Sequence, residues 1–205
     1  MNQFSKLVCF LLLVSATAIG QQKITLEDIW SSGTFRAKGM DALQALKNTN
    51  QYTVLNVDRT SRTFQIDLYD FATLKKVSTL IDTKDFSDLK KGIDSYAFSN
   101  DEKQILIANN SNPIFRHSYT ANYYLYNLNS KSLSKVLENV QEPTFSPDGT
   151  KIAFAKENNL FVYDIASKNT TQVTTDGKKN AIINGITDWV YEEEFAFVRA
   201  FDWSA

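Results

Sequence analysis

One turn-and-strand pattern occurs twice in this chain, and it constrains the fold more than any other feature. Phe98-Ser99-Asn100-Asp101 precedes Lys103-Gln104-Ile105-Leu106. Phe145-Ser146-Pro147-Asp148-Gly149 precedes Thr150-Lys151-Ile152-Ala153, 47 residues later. Each copy is followed by a strand that ends in an aromatic and a polar residue, Tyr124-Leu125-Tyr126-Asn127 and Phe161-Val162-Tyr163-Asp164. Asp67-Leu68-Tyr69-Asp70 is an earlier cousin. A period of about 40 to 50 residues, with about four short strands in each, predicts β-propeller blades. A β-sandwich with chance similarity between hairpins is the alternative the repeat leaves open.

The rest of the chain reads as short strands with turn signals between them. Gln51–Asp58 is rich in β-formers, and Phe64–Tyr69 alternates apolar and polar residues at strand period. Ile105–Ala108, Tyr123–Leu128, Lys151–Ala155 and Leu160–Ile165 are further strands. Helical pattern is confined to Leu26–Trp30, Met40–Leu46 and Asp188–Phe195. The fold class expected is therefore all-β, a partial β-propeller of about three to four blades.

The N-terminus carries a different signal. A polar start with Lys6 leads into the apolar run Leu7–Val14, and Ala16-Thr17-Ala18 and Ala18-Ile19-Gly20 fit small-x-small cleavage sites. This is the pattern of a secretory signal peptide over residues 1–20, which predicts a secreted or periplasmic protein; an uncleaved N-terminal anchor is the alternative. The single Cys, Cys9, lies inside the apolar run, so the chain after residue 20 has no thiol to mispair in an oxidising compartment. One Cys and one His exclude a disulfide framework and a Cys- or His-rich metal site. A formal net charge of −1 gives no nucleic-acid footprint.

Aligning the repeat copies exposes two insertions. Phe98 to Tyr126 spans 28 residues where Phe145 to Tyr163 spans 18, which places extra residues around Asn109–Tyr119. Trp203-Ser204 matches Phe145-Ser146 at a spacing of 58, which places more around Gly185–Phe195. Insertions in repeat proteins map to loops on one face, and such loops carry binding. The chain stops just inside that third turn, and a half ring leaves blade faces unsealed, so the sequence is expected to be an N-terminal portion of a longer protein.

The first insertion holds Arg116-His117-Ser118-Tyr119. Arg116 offers a planar fork of donors to a carbonyl or carboxylate, although a surface Arg and a His tucked against tyrosines would read the same way. His117 is the only His, and no Gly-x-Ser-x-Gly turn exists, so a complete serine hydrolase site is absent. The second insertion reads Asn184-Gly185-Ile186-Thr187-Asp188-Trp189-Val190-Tyr191-Glu192-Glu193-Glu194-Phe195. Asp188 can cap a short helix. Three consecutive glutamates are ordinarily a solvated face, but the flanking Trp189, Tyr191 and Phe195 suggest a packed setting. Adjacent carboxylates repel unless a cation sits between them: a substrate ammonium, a Lys, an Arg or a metal ion. The oxygen-ligand spacing of a calcium site is missing.

These two strings resemble the dipeptidyl peptidase IV family. Arg116-His117-Ser118-Tyr119-Thr120-Ala121-x-Tyr123, followed by Leu125-Tyr126-Asn127-Leu128-Asn129, is similar to the family's propeller segment, and Asn184–Glu194 is similar to its glutamate motif. Ile24–Ile29 is similar to the segment that precedes the propeller. The resemblance implies an eight-bladed propeller joined to a C-terminal α/β-hydrolase domain. It implies release of dipeptides, in close relatives tripeptides, from peptide N-termini after Pro or Ala. Glu193 and Glu194 would then hold the free ammonium of the peptide substrate, Arg116 would contact a substrate carbonyl, and Glu192 and His117 would support them. The implied layout is a signal peptide at 1–20, a leading segment at 21–48 and an incomplete propeller at 49–205. The catalytic Ser, Asp and His would lie in the absent hydrolase domain, the partner of this part, so the chain alone would be inactive. A homodimer of the full-length protein is a further implication; no cofactor or metal is expected, since acyl transfer by a triad needs none. The other reading is a stand-alone propeller that binds or scaffolds without catalysis.

Overall fold

A computed structural model describes residues 23–36 and 43–204 of the chain. The expected signal peptide, residues 1–20, lies outside the described residues. The chain divides into two compact units between Met40 and Asp41. In the first, helix α1 (Leu26–Trp30) starts at a capping box: the Asp28 amide donates to Thr25 Oγ1 at 3.1 Å and the Thr25 amide donates to Asp28 Oδ2 at 2.9 Å.

The second unit is built from antiparallel strands. Strands β1 (Leu43–Ala45), β2 (Gln51–Asp58), β3 (Thr63–Asp70) and β4 (Lys76–Asp82) form one sheet in chain order. The second sheet runs from β5 (Ser95–Phe98) through β6 (Gln104–Pro113), β7 (Tyr119–Asn127), β8 (Ser132–Phe145), β9 (Lys151–Lys156) and β10 (Asn159–Asp164) to β11 (Thr170–Gln172). The helix expected over Met40–Leu46 does not form where the chain is described. Leu43–Ala45 instead pairs with Tyr52–Val54 as an edge strand, because sheet pairing overrides weak local helix propensity.

Strand β8 makes the second sheet two blades rather than one. Its first part pairs with β7 as far as Val140, and its last residues, from Gln141, pair with β9. The hand-over sits at Asn139 and Glu142, both at positive φ, and at a register shift that spans Pro143, whose missing N–H costs nothing there. The result is three four-stranded blades: β1–β4, β5 to the first part of β8, and the rest of β8 to β11. This is a partial β-propeller.

The blades stack because the middle one is apolar on both faces. Along β6, Ile105 and Ile107 pack with Ile66, Ile81, Leu89 and Ile93 of the first-blade side, whereas Leu106 and Ala108 pack with Ile152, Phe154 and Tyr163 of the third blade. β7 divides likewise, Tyr124 and Tyr126 to one cluster and Tyr123 and Leu125 to the other. An unbroken apolar run is what a strand buried on both faces requires. Each fully buried Ile contributes about 1.5–3 kcal/mol relative to exposure.

The repeated turns are the same object twice. Ser99 Oγ donates to Asp101 at 2.7 Å and accepts the Gln104 amide at 3.0 Å. Ser146 Oγ donates to Asp148 at 2.6 Å and accepts the Lys151 amide at 2.9 Å. Three residues after each Ser the backbone turns left-handed, at Glu102 (φ 57°) and Gly149 (φ 69°). Trp203 and Ser204, expected to open a third copy, form no strand; the Trp203 indole donates to the Thr144 carbonyl at 3.3 Å.

Candidate functional site

Both insertions project from the blades, and the structure brings them together. The first is a lengthening of the β6–β7 hairpin: Asn112 pairs with Thr120 and Pro113 with Tyr119, past a bulge at Asn110 (φ 60°). Its tip is closed by the Ile114 amide donating to the Ser118 carbonyl at 2.9 Å, and Arg116 and His117 sit on that tip. The second is an excursion from the edge of the third blade. Its neck is closed by the Ala200 amide on the Gly185 carbonyl at 3.2 Å and by a bridge between Ile186 and Arg199. Gly185 has φ 82°, and a Cβ there would lie 3.2 Å from Leu160 and 3.3 Å from Ala155, so the neck approaches the blade as only glycine permits.

The excursion carries helix α2 (Trp189–Phe195). Asp188 caps it by accepting the Tyr191 amide at 3.0 Å. It ends on Ala196 at φ 54°, with the Ala196 amide on the Glu192 carbonyl and the Phe197 amide on the Tyr191 carbonyl. Trp189, Tyr191 and Phe195, expected to pack, are more than half exposed. The residue that α2 turns inward is Glu192, 1% exposed.

The three consecutive glutamates have three different surroundings. Glu192 Oε1 accepts the His117 amide at 2.6 Å and the Ser118 amide at 2.8 Å. Burial pushes the Glu192 carboxyl up, but the approach of Ser118 and His117 to it outweighs this and holds the group below the usual carboxylate range. Ser118 Oγ itself is buried with no partner in hydrogen-bond geometry among the described residues. Glu193, half-buried, lies 3.1 Å through Oε2 from Arg116 Nε. Glu194 is exposed and has no ion pair or side-chain hydrogen bond among the described residues. Arg116 is 72% exposed, so its ion pair contributes about 0.2–1 kcal/mol, whereas each buried, charge-assisted bond to Glu192 contributes about 1.5–3 kcal/mol. His117 is exposed, not tucked against tyrosines, and its contact with the site is through its backbone.

Chemically, the hairpin tip and α2 bring together one exposed guanidinium and one half-buried carboxylate, next in sequence to an exposed carboxylate, Glu194, and to a buried one, Glu192, already satisfied by the protein. The excess negative charge suits a cationic group with several donors. A hollow of about 510 Å³ adjoins it, with Ile114, Phe115, Ser118, Ile183, Trp189 and Glu192 among its lining. Glu142, near the end of β8, is a neighbour that sequence reasoning missed. Burial raises its carboxyl, Arg199 opposes this and the Glu192 charge adds to it. Nothing in the sequence around Glu142 signals that proximity. Among the described residues no group of acidic, His or Cys side chains could hold a metal ion, and no helix is long and apolar enough to cross a membrane.

Comparison with known proteins agrees with this architecture. Residues 99–205 match the family model described as the dipeptidyl peptidase IV (DPP IV) N-terminal region. Dipeptidyl peptidase 4 of Felis catus is 38% identical over 131 residues, 62% of this chain and 17% of the cat protein. Dipeptidyl aminopeptidase B of Saccharomyces cerevisiae is 35% identical over 113 residues, 55% of this chain and 14% of that protein. The crystal structure of Porphyromonas gingivalis dipeptidyl peptidase 4 superposes with a TM-score of 0.75 at 34% identity, covering 88% of this chain and 26% of that one. The chain thus spans about a sixth of the curated relatives it matches. With more than half of its length inside the family model, both insertions included, this chain belongs to the dipeptidyl peptidase IV N-terminal-region family.

Proposed function

We propose that this chain is the propeller portion of a secreted dipeptidyl peptidase IV-like serine peptidase that releases Xaa-Pro and Xaa-Ala dipeptides, and that Glu193, Glu194 and Arg116 anchor the substrate's amino terminus. The observation that carries the reading is the meeting of the two insertions: Arg116 lies 3.1 Å from Glu193, and the next residue, Glu194, has no ion pair among the described residues. A peptide's α-ammonium has three donors and one charge, and two adjacent carboxylates match both. Glu193 shares its charge with Arg116, so Glu194 supplies the uncompensated half of the site. The Arg116 fork, held at its Nε by Glu193, keeps its terminal N–H groups for a substrate carbonyl.

Anchoring the amino terminus at a fixed place makes cleavage count residues from that end. The anchor accelerates the reaction by positioning, while bond-breaking belongs to a triad on the hydrolase domain. The signal-peptide pattern of residues 1–20 supports secretion. The test is steady-state kinetics of the full-length protein on Gly-Pro-p-nitroanilide. Glu193→Ala or Glu194→Ala lowers kcat/KM by at least about tenfold, about 1.4 kcal/mol of transition-state stabilisation. Wild-type rates in both variants would overturn the assignment.

A further inference from the structure

The hairpin tip and α2 are joined by two rungs, and they are unequal. The inner rung is the Glu192 carboxylate under the amides of His117 and Ser118, residues 75 and 74 positions away in the chain. The outer rung is the Arg116–Glu193 ion pair. The inner acceptor is 1% exposed, and Ser118 is 7% exposed. The outer guanidinium is 72% exposed, and water screens it. A screened pair between long side chains cannot hold a hairpin tip in place; a desolvated carboxylate bonded to two successive backbone N–H groups can. Arg116 immediately precedes the first of those amides and Glu193 immediately follows the carboxylate. Fixing the inner rung therefore fixes the distance across the outer one.

We infer that Glu192 is a positioning residue: by holding the His117 and Ser118 amides it sets where Arg116 stands relative to Glu193 and Glu194. The inference rests on the anchoring role proposed above. Glu192 is 1% exposed, and its carboxylate is spent on the protein's own amides rather than offered outward. Its effect on turnover passes through the Arg116 tip, which separates it from a glutamate that merely keeps the domain folded. Gln preserves an oxygen that can accept both amides, whereas Ala leaves two N–H groups without their acceptor.

The experiment is a double-mutant cycle in the full-length protein with Gly-Pro-p-nitroanilide, with thermal melting alongside. Glu192→Ala is expected to lower kcat/KM at least about tenfold, and Glu192→Gln to recover most of that loss. In an Arg116→Ala background, Glu192→Ala is expected to cost less than about threefold, because the group it positions is gone. Equal losses in both backgrounds, or a Glu192→Ala enzyme within about threefold of wild type, would overturn the inference. Amide exchange supplies a readout independent of activity and of folding yield: Glu192→Gln retains protection at His117 and Ser118, and Glu192→Ala loses it there but not along β6. Unchanged protection at the tip in the Ala variant would also overturn it. If Glu193→Ala and Glu194→Ala leave kcat/KM unchanged while tip protection depends on Glu192, the anchoring role fails and the clamp stands.

Discussion

Replacing Asp188 by Ala should loosen the glutamate helix without loosening the blades. Helix α2 has seven residues, far too few to persist by propensity alone. Its outer side chains, Trp189, Val190, Tyr191 and Phe195, are all more than half exposed, so burial adds little. What remains is a cap at one end, a left-handed closure at the other, the Thr187 hydroxyl on the Phe197 carbonyl across the helix, and the Glu192 clamp with the weaker Arg116–Glu193 pair on the side. Asp188 satisfies the Tyr191 amide at 3.0 Å, and losing such a cap costs about 1 kcal/mol. Spread over local opening alone, that is a roughly fivefold rise in the open population. Amide exchange read residue by residue measures it. The amides of Glu192, Ala196 and Phe197 should exchange about fivefold faster, and those of His117 and Ser118 should follow because their acceptor rides on the helix. Ile105 to Ala108 should not change. The companion Ala196→Gly relieves a left-handed Ala at φ 54° and should slow the same amides by a similar factor, about 1 kcal/mol. Acceleration spread evenly over β6 and β7, or none at the helix, would refute the view of α2 as a locally fastened element.

Other consequences are testable more simply. Gly149→Ala should cost about 1 kcal/mol in a denaturant titration, purely from its φ of 69°, since the nearest atom to the new Cβ is Ser99 Cβ at 3.7 Å. Ile107→Ala, at 0% exposure between the first two blades, should cost about 2–5 kcal/mol. Asp148, whose carboxyl is pulled down to about 2 first by Ser146 and then by Thr150, should titrate there by carbon NMR. Its folded value lies below the ordinary 3.8, so the stability it lends is complete above that value and is lost as pH falls through about 2. Glu192 has the same sign, so the clamp should hold through mildly acidic solution and release only as pH drops below the ordinary carboxylate range.

Much of the blade structure is written locally. The Ser–x–Asp turns are legible because the Ser and Asp that make the same two bonds in each copy recur 47 residues apart in the sequence. Gln51–Asp58 shows its β-formers and becomes β2 without revision. Strand β8 escaped notice because Glu142 and Pro143 interrupt it, and its hand-over from one blade to the next is a tertiary arrangement with no period of its own. Strand β1 escaped because its three residues pair only by virtue of β2. At the site, the residue types were legible as an acidic run and an Arg in two separate insertions. Which glutamate turns inward was not. That depends on the rotation of α2 set by Asp188, and on a hairpin whose amides need an acceptor from 74 residues away.

If a peptide's amino terminus sits between Glu193 and Glu194, a crystal structure of the full-length protein holding a slowly cleaved Xaa-Pro peptide will place the ammonium nitrogen about 3 Å from both carboxylates, with Arg116 still paired to Glu193. An amino terminus elsewhere, or a peptide that runs past α2 with its ammonium in solvent, would contradict it.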